Sequence, residues 1–172
     1  PILTNGIVEM GGASTQIAFI STDPDANVHR FRLAGKSYNL VAESFLGLGQ
    51  TQALLHIAAM NDKSNAIAAC MPNDYHYSIA NKRGTGHFHA KRCRQLVRQY
   101  VVKFKLHQHI GDLEPGTQFS ALSGYYYTFN FFDAQSGLAT LAAASERTCN
   151  LPWRHLQQQY PDEKPARLAK RC

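Results

Sequence analysis

The 172-residue sequence predicts an α/β domain, a mixed sheet with helices on its faces, and three observations carry that expectation. Apolar and polar residues alternate through the first quarter of the chain, the apolar spacing turns helical from Gly49, and one further β-rich stretch follows the helices. Ile7 to Met10 and Thr15 to Ile20 read as two strands joined by the glycines of "EMGGAST", a hairpin. After the polar turn "STDPDAN", the segment "VHRFRLAGKSYNLVAESF" alternates as one long or bent strand, or as one broken at Gly35. Three antiparallel strands therefore come first. "GQTQALLHIAAMNDKSNAIAAC" spaces Ala53, Leu54, Ile57, Ala58 and Met60 as an amphipathic helix. "MPNDYHYSIANKRGTGHFH" reads as loop, and helical spacing resumes from Ala90 to Leu106. In "TQFSALSGYYYTFNFF" the first half reads as a strand and the second half stays open between strand and helix. Ala134 to Thr148 is Ala-rich and helical, and Trp153 to Lys170 is a polar helix or loop.

Hydrophobic residues make up 44% of the chain, enough to bury a core. No apolar run approaches the roughly 20 residues of a membrane-spanning helix, and no basic-then-apolar leader opens the sequence. The formal charge is +6, and eight of the 18 Lys and Arg residues fall between Lys82 and Lys105, where Asp and Glu are absent. That span is a local basic face; its alternative is a solvated helix surface. Aromatic and basic residues do not interleave as a single-strand binder requires, so nucleic acid is not the expected partner.

The cysteines, Cys70, Cys93, Cys149 and Cys172, are even in number and lack the close pairs of a zinc site. Three disulfide pairings are open. Loop entropy favours Cys70 with Cys93 and Cys149 with Cys172, which implies an oxidising compartment; four buried thiols are the alternative.

The turn Gly11 to Gln16 is the segment where chemistry is expected. A polyphosphate needs several backbone N–H groups converging on a small volume, and glycine keeps the approach clear of a Cβ. Ala13 is small, Ser14 and Thr15 add hydroxyls, and the Gln16 amide can both accept from and donate to a water. Glu9 puts a carboxylate where a hydrated divalent cation would sit beside a phosphate. A plain tight hairpin explains the same glycines, and the turn alone does not decide between them.

"EMGGASTQIAF" closely resembles the fourth conserved region of the apyrase family, the nucleoside triphosphate diphosphohydrolases. "FRLAGKSYNLVAESFLGLGQTQALL" and "ALSGYYYTFNFF" resemble later segments of that family in the right order, and "ACMPNDY" and "CNLPW" fall where apyrases carry disulfide cysteines. The resemblance implies the ribonuclease-H-like fold shared with actin, sugar kinases and heat-shock ATPases. It implies that Gly11, Gly12, Ala13 and Ser14 bind the terminal phosphates, with Ser14 and Gln16 holding the attacking water. Glu9 matches an acidic residue, usually Asp, that orders water around Ca²⁺ or Mg²⁺. Tyr126 matches an aromatic that stacks on the nucleobase. Arg171 stands where animal relatives often place a second stacking Tyr, and a guanidinium can also stack on a base. Of the other residues, at least two rings among Tyr125, Tyr126 and Tyr127 are expected in the core, Glu43 and Ser44 as scaffold, and His87 and His89 in a polar loop rather than a metal site.

The same resemblance implies that residues 1–172 are most of the C-terminal lobe of a two-lobed enzyme. The N-terminal lobe, with a first phosphate loop, a second acidic metal residue and the general-base Glu, and the family's last conserved segment are expected outside these residues. The activity implied is removal of terminal phosphates from ATP, ADP and other nucleotides by direct attack of water, in a secreted, periplasmic or secretory-lumen setting, with the remaining lobe as partner. An exopolyphosphatase-like enzyme and a non-catalytic nucleotide-binding module are the alternatives.

Overall fold

The computed structural model describes residues 4–23, 27–60, 65–110, 113, 116–134 and 137–172, and the chain divides into two compact units. The first unit contains Pro1–Ala53 and Val101–Tyr127. Its strands β1 (Gly6–Met10), β2 (Ser14–Ile20), β3 (His29–Leu33), β4 (Lys36–Leu46) and β7 (Phe119–Ser123) form one sheet in the order β3-β4-β2-β1-β7. All neighbours are antiparallel except β7, which runs parallel to β1. The sheet is thus mixed, as expected.

The segment read as one long or bent strand, or as one broken at Gly35, is broken there into two strands. Ala34 and Gly35 take φ of 50° and 77°, the left-handed pair that a two-residue turn between twisted antiparallel strands requires, and Leu33 pairs with Lys36 across it. Register then decides which side chains are covered. Phe19 lies opposite Val41 and Thr15 opposite Phe45, and Phe19, Val41 and Phe45 are all buried on one sheet face. Phe119 on β7 meets Phe19 edge to face at 6.0 Å, and Phe45 meets the His109 ring from the short helix α3 (Leu106–Ile110). Helix α1 (Gln50–Met60) begins in this unit, as does α4 (Gly124–Phe131), which resolves the open half of the aromatic segment as helix.

The second unit, Leu54–Tyr100 and Thr128–Cys172, is built from short elements. Ala66–Cys70 is a turn of 3₁₀ helix, so the helical pattern expected up to Cys70 is not one helix. Part of the stretch read as loop is the hairpin of β5 (His76–Ile79) and β6 (Lys82–Thr85), turned at Ala80 and Asn81 with φ of 48° and 65°. Its glycines and polar residues hid the strands because only Tyr77 of this short ribbon is fully buried. Helix α2 (Ala90–Val101) ends before Leu106 in a 3₁₀ turn whose left-handed residue is Lys105. Helices α5 (Leu138–Cys149), α6 (Trp153–Gln159) and α7 (Pro165–Arg171) follow, the last two separated because Pro165 opens a new helix.

Two disulfides fasten this unit in the sequential pairing, Cys70 to Cys93 and Cys149 to Cys172, each across 23 residues. Asn73 ties the two cysteine-bearing segments together: its amide donates to Asn150 O at 2.8 Å, its carbonyl O accepts from Trp153 N–H at 2.8 Å, and the Tyr75 and Trp153 rings lie 4.6 Å apart. Leu156 and Leu168 are fully buried. Replacing Cys149 and Cys172 together by serine should lower the unfolding free energy by about 3 kcal/mol, the loop-closure value for this spacing. Urea unfolding of the oxidised protein and the variant measures it, and a loss below about 1 kcal/mol would mean that packing alone holds the C-terminal segment.

Candidate functional site

The turn between β1 and β2 is held by its own carbonyls. Gly11 O accepts from Gln50 N–H at 2.9 Å, Gly12 O from Thr51 and Gln52 N–H at 3.0 and 3.1 Å, and Ala13 O from Gly47 N–H at 2.8 Å. The first N–H groups of α1, which no intrahelical acceptor can reach, are thereby satisfied by the turn. Gly49 makes this approach possible: a Cβ there would collide with the backbone of Ala13 and Ser14.

With the carbonyls so engaged, the amides differ. Gly11 N–H closes the turn on Ser14 O at 3.0 Å. Among the described residues the N–H groups of Gly12 and Ala13 have no acceptor, and both residues are exposed. Gly11 and Gly12 do not take left-handed φ values, and a Cβ on either would find no atom nearer than 3.8 Å. Neither the backbone conformation nor the packing of this chain requires glycine there, which directs attention to what approaches from outside.

Register assembles the side chains. Glu9 on β1 lies opposite Gln16 on β2, Gln16 opposite Ser44 on β4, and Glu9 beside Leu122 on β7, so these residues form one row across one face of the sheet. Ser14, two residues before Gln16, shares that face. The Gln16 amide donates from Nε2 to Ser14 Oγ at 2.6 Å and to Ser44 Oγ at 3.2 Å. Its Oε1 is buried without a partner. A buried carbonyl oxygen left so costs about 1–3 kcal/mol, which a water donating to it would recover. The Glu9 carboxylate oxygens come within 3.9 and 4.0 Å of where a Cβ would stand on Gly11, so the carboxylate borders the turn.

Ser44 was expected as scaffold, yet its hydroxyl is a direct partner of Gln16. Nothing in the local sequence marks it, because the contact spans 28 residues and exists only through β2–β4 pairing. Thr15 faces the other way and donates to Leu48 O at 2.9 Å, and it also shares a hydrogen bond with Tyr125. Burial raises the Tyr125 hydroxyl above its ordinary pKa, the Thr15 hydrogen bond pulls it back and the charge of Glu9 adds to the rise. It is a neutral phenol at physiological pH.

The expectation that two of the three tyrosines are core is overturned: Tyr126 and Tyr127 are 56% and 59% exposed and Tyr125 is partly buried. In a helix successive rings turn by about 100°, so three in a row cannot share a buried face as residues i and i+2 of a strand can. Arg171, in the second unit, already has protein partners. Its guanidinium lies 5.1 Å from the Phe131 ring centroid and 3.6 Å from Glu163, and its side chain is 14% exposed. His87 and His89 lie between β6 and α2 with their N–H groups bonded to Ala68 O and Ala69 O. Among the described residues no group of three or more His, Cys, Asp or Glu side chains stands ready to hold a metal. The donors gathered at the turn are instead oxygens with Glu9 as the carboxylate, a set that fits a hydrated hard cation held through water.

The sequence profile of the GDA1/CD39 (nucleoside phosphatase) family matches residues 2–172. Ectonucleoside triphosphate diphosphohydrolase 2 of Rattus norvegicus is 31% identical over 98% of this chain and 41% of its own length. Probable apyrase 3 of Arabidopsis thaliana is 28% identical over 94% of this chain and 40% of its own, and ectonucleoside triphosphate diphosphohydrolase 1 of Bos taurus is 28% identical over 98% and 41%. The chain spans about two fifths of the length of these relatives.

Gly49→Ala should cost about 1–3 kcal/mol or more of stability, since the backbone of the turn must move to admit the methyl group. Chemical denaturation followed by far-UV circular dichroism reads it out. A change below about 0.5 kcal/mol would show that the turn and α1 are not held as tightly as their hydrogen bonds indicate.

Proposed function

Because the chain belongs to the GDA1/CD39 (nucleoside phosphatase) family, of the ribonuclease-H-like fold of actin and Hsp70, we propose that it carries the terminal-phosphate site of an enzyme removing terminal phosphates from nucleoside tri- and diphosphates. The observation that carries this reading is the buried Gln16 Oε1, without a partner among the described residues, on an amide whose nitrogen donates to Ser14 Oγ at the end of the turn that carries the Gly12 and Ala13 N–H groups. Terminal phosphate oxygens accept from those two N–H groups and from Ser14 Oγ. A water donating to Gln16 Oε1 is oriented toward phosphorus. Its oxygen forms the new P–O bond as the bridging P–O bond breaks, and the shortened nucleotide leaves with no covalent enzyme intermediate. Positioning and electrostatics do most of the work in such transfers.

Glu9 holds the hydration shell of a Ca²⁺ or Mg²⁺ ion, which when bound supplies charge neutralisation to the phosphates. Among the described residues Glu9 is the carboxylate in register with Gln16, so the base that takes the water's proton is assigned to the rest of the protein. In this reading residues 1–172 are most of the C-terminal lobe, and the N-terminal lobe completes the site. Tyr126, exposed on α4, is the base-stacking ring. Any stacking by Arg171 uses the guanidinium face away from Phe131. Two disulfides and the ecto-enzyme names of the relatives support a secreted, periplasmic or secretory-lumen setting. Among the described residues no helix is long and apolar enough to cross a membrane.

Phosphate release from ATP and ADP by the full-length protein with Mg²⁺ or Ca²⁺ tests the reading. Gln16→Ala should reduce kcat about 10²–10³-fold. Retention of activity within threefold would remove Gln16 from the water site. Ser44→Ala should lower kcat about tenfold at nearly unchanged KM, because it loosens the amide without touching substrate; an effect confined to KM would contradict that positioning role.

Tyr126→Ala should raise KM for ATP roughly tenfold, the value of one stacked base, and leave hydrolysis of inorganic tripolyphosphate unaltered. Equal loss on both substrates would assign Tyr126 to structure, and no loss on either would favour a polyphosphate-type enzyme.

A further inference from the structure

The outer face of α2 stands apart from this chemistry. Lys91, Arg94, Gln95 and Arg98 line an open surface cavity of about 330 Å³, and all four are exposed. At about 100° per residue they fall within a stripe roughly 100° wide, and Lys91 to Arg98 spans about 10 Å along the axis. Leu96 and Tyr100 are buried on the opposite side, where Cys93 is bridged to Cys70. Arg92, also exposed, flanks the stripe. The helix has no acidic residue, and none occurs between Lys82 and Lys105. Glu146 is the acidic residue paired to this face, 3.3 Å from Arg94, with both side chains about half exposed.

This arrangement opposes helix stability. Lys91 and Arg92 sit in the first turn, where the helix dipole disfavours cations, and Lys91, Arg94 and Arg98 follow at i, i+3 and i+7, the spacing at which like charges repel. A groove of donors with little compensating charge is built for a repeated anion. The segment "AKRCRQ" is a basic cluster of the kind that marks polyanion patches. Because both disulfides require an oxidising compartment, the polyanion is an extracytoplasmic one. We infer that the α2 face, through Lys91, Arg92, Arg94 and Arg98, docks a sulfated polysaccharide chain, whose sulfates lie along the groove. This inference does not rest on the activity proposed above.

The test is binding of size-defined heparin oligosaccharides to the full-length protein at about 0.15 M salt, where long-range charge effects are largely screened. The variant Lys91→Gln/Arg92→Gln/Arg98→Gln should lose at least tenfold in affinity and flatten the slope of log affinity against log salt by about two to three. A charge-matched control, Arg30→Gln/Arg32→Gln/Lys36→Gln on the exposed β3–β4 hairpin, should change affinity less than twofold. Arg98→Glu alone, a single exposed change, should lose at least threefold and guards against misfolding of the triple variant. Equal losses in the helix and hairpin variants would overturn the site, since net charge would then explain binding. Equal affinity for duplex DNA or phosphatidylserine vesicles, lost in the same variant, would overturn the glycan assignment.

Discussion

The capping of α1 by the carbonyls of the glycine turn is the constraint on which the site depends. A helix N-terminus needs acceptors, and a tight turn between strands has carbonyls with no ladder partner. Placing one against the other satisfies both, with Gly11, Gly12 and Ala13 accepting from Gly47 and the first residues of α1. The consequence is directional. Once the carbonyls of the turn face the helix, the Gly12 and Ala13 amides have no acceptor among the described residues. The positive end of the helix dipole thus stabilises the turn.

The sheet adds the second half of the arrangement. Antiparallel pairing places Glu9, Gln16 and Ser44 in one row, so a carboxylate, an amide and a hydroxyl come from three strands onto one face with fixed spacing. Two serine hydroxyls hold the Gln16 nitrogen, and its oxygen is buried with no partner among the described residues. The opposite face carries Phe19, Val41 and Phe45 in the core, so the row is anchored by packing behind it. Chemistry on one face and core on the other follow from the same period of two.

The second unit solves a different problem. Its helices are short and its hairpin has four-residue strands, so little of its stability comes from long regular elements. Two disulfides and the Asn73 hub, which meets Asn150, Trp153 and Phe88, supply the cross-links instead. The inner side of α2 is fixed by Leu96, Tyr100 and a disulfide, which leaves its basic outer side exposed.

The sequence by itself determined the features that are local or periodic. The glycine turn, the alternation of β1 and β2, a helical onset within one residue of Gln50 and the sequential cysteine pairing were all legible, because each rests on nearest-neighbour geometry or on loop length. The sequence left the break at Gly35 open and hid the β5–β6 hairpin. Both hairpins bury little apolar surface, and their turns rest on left-handed Ala34 and Ala80, a residue type that rarely takes that conformation. Only the tertiary structure brought Ser44 to Gln16, set Arg171 against Phe131 and Glu163, and exposed Tyr126 and Tyr127 on a helix. Contacts between residues distant in sequence depend on register and on which element a segment becomes, and a one-residue shift in either would turn those side chains to another face.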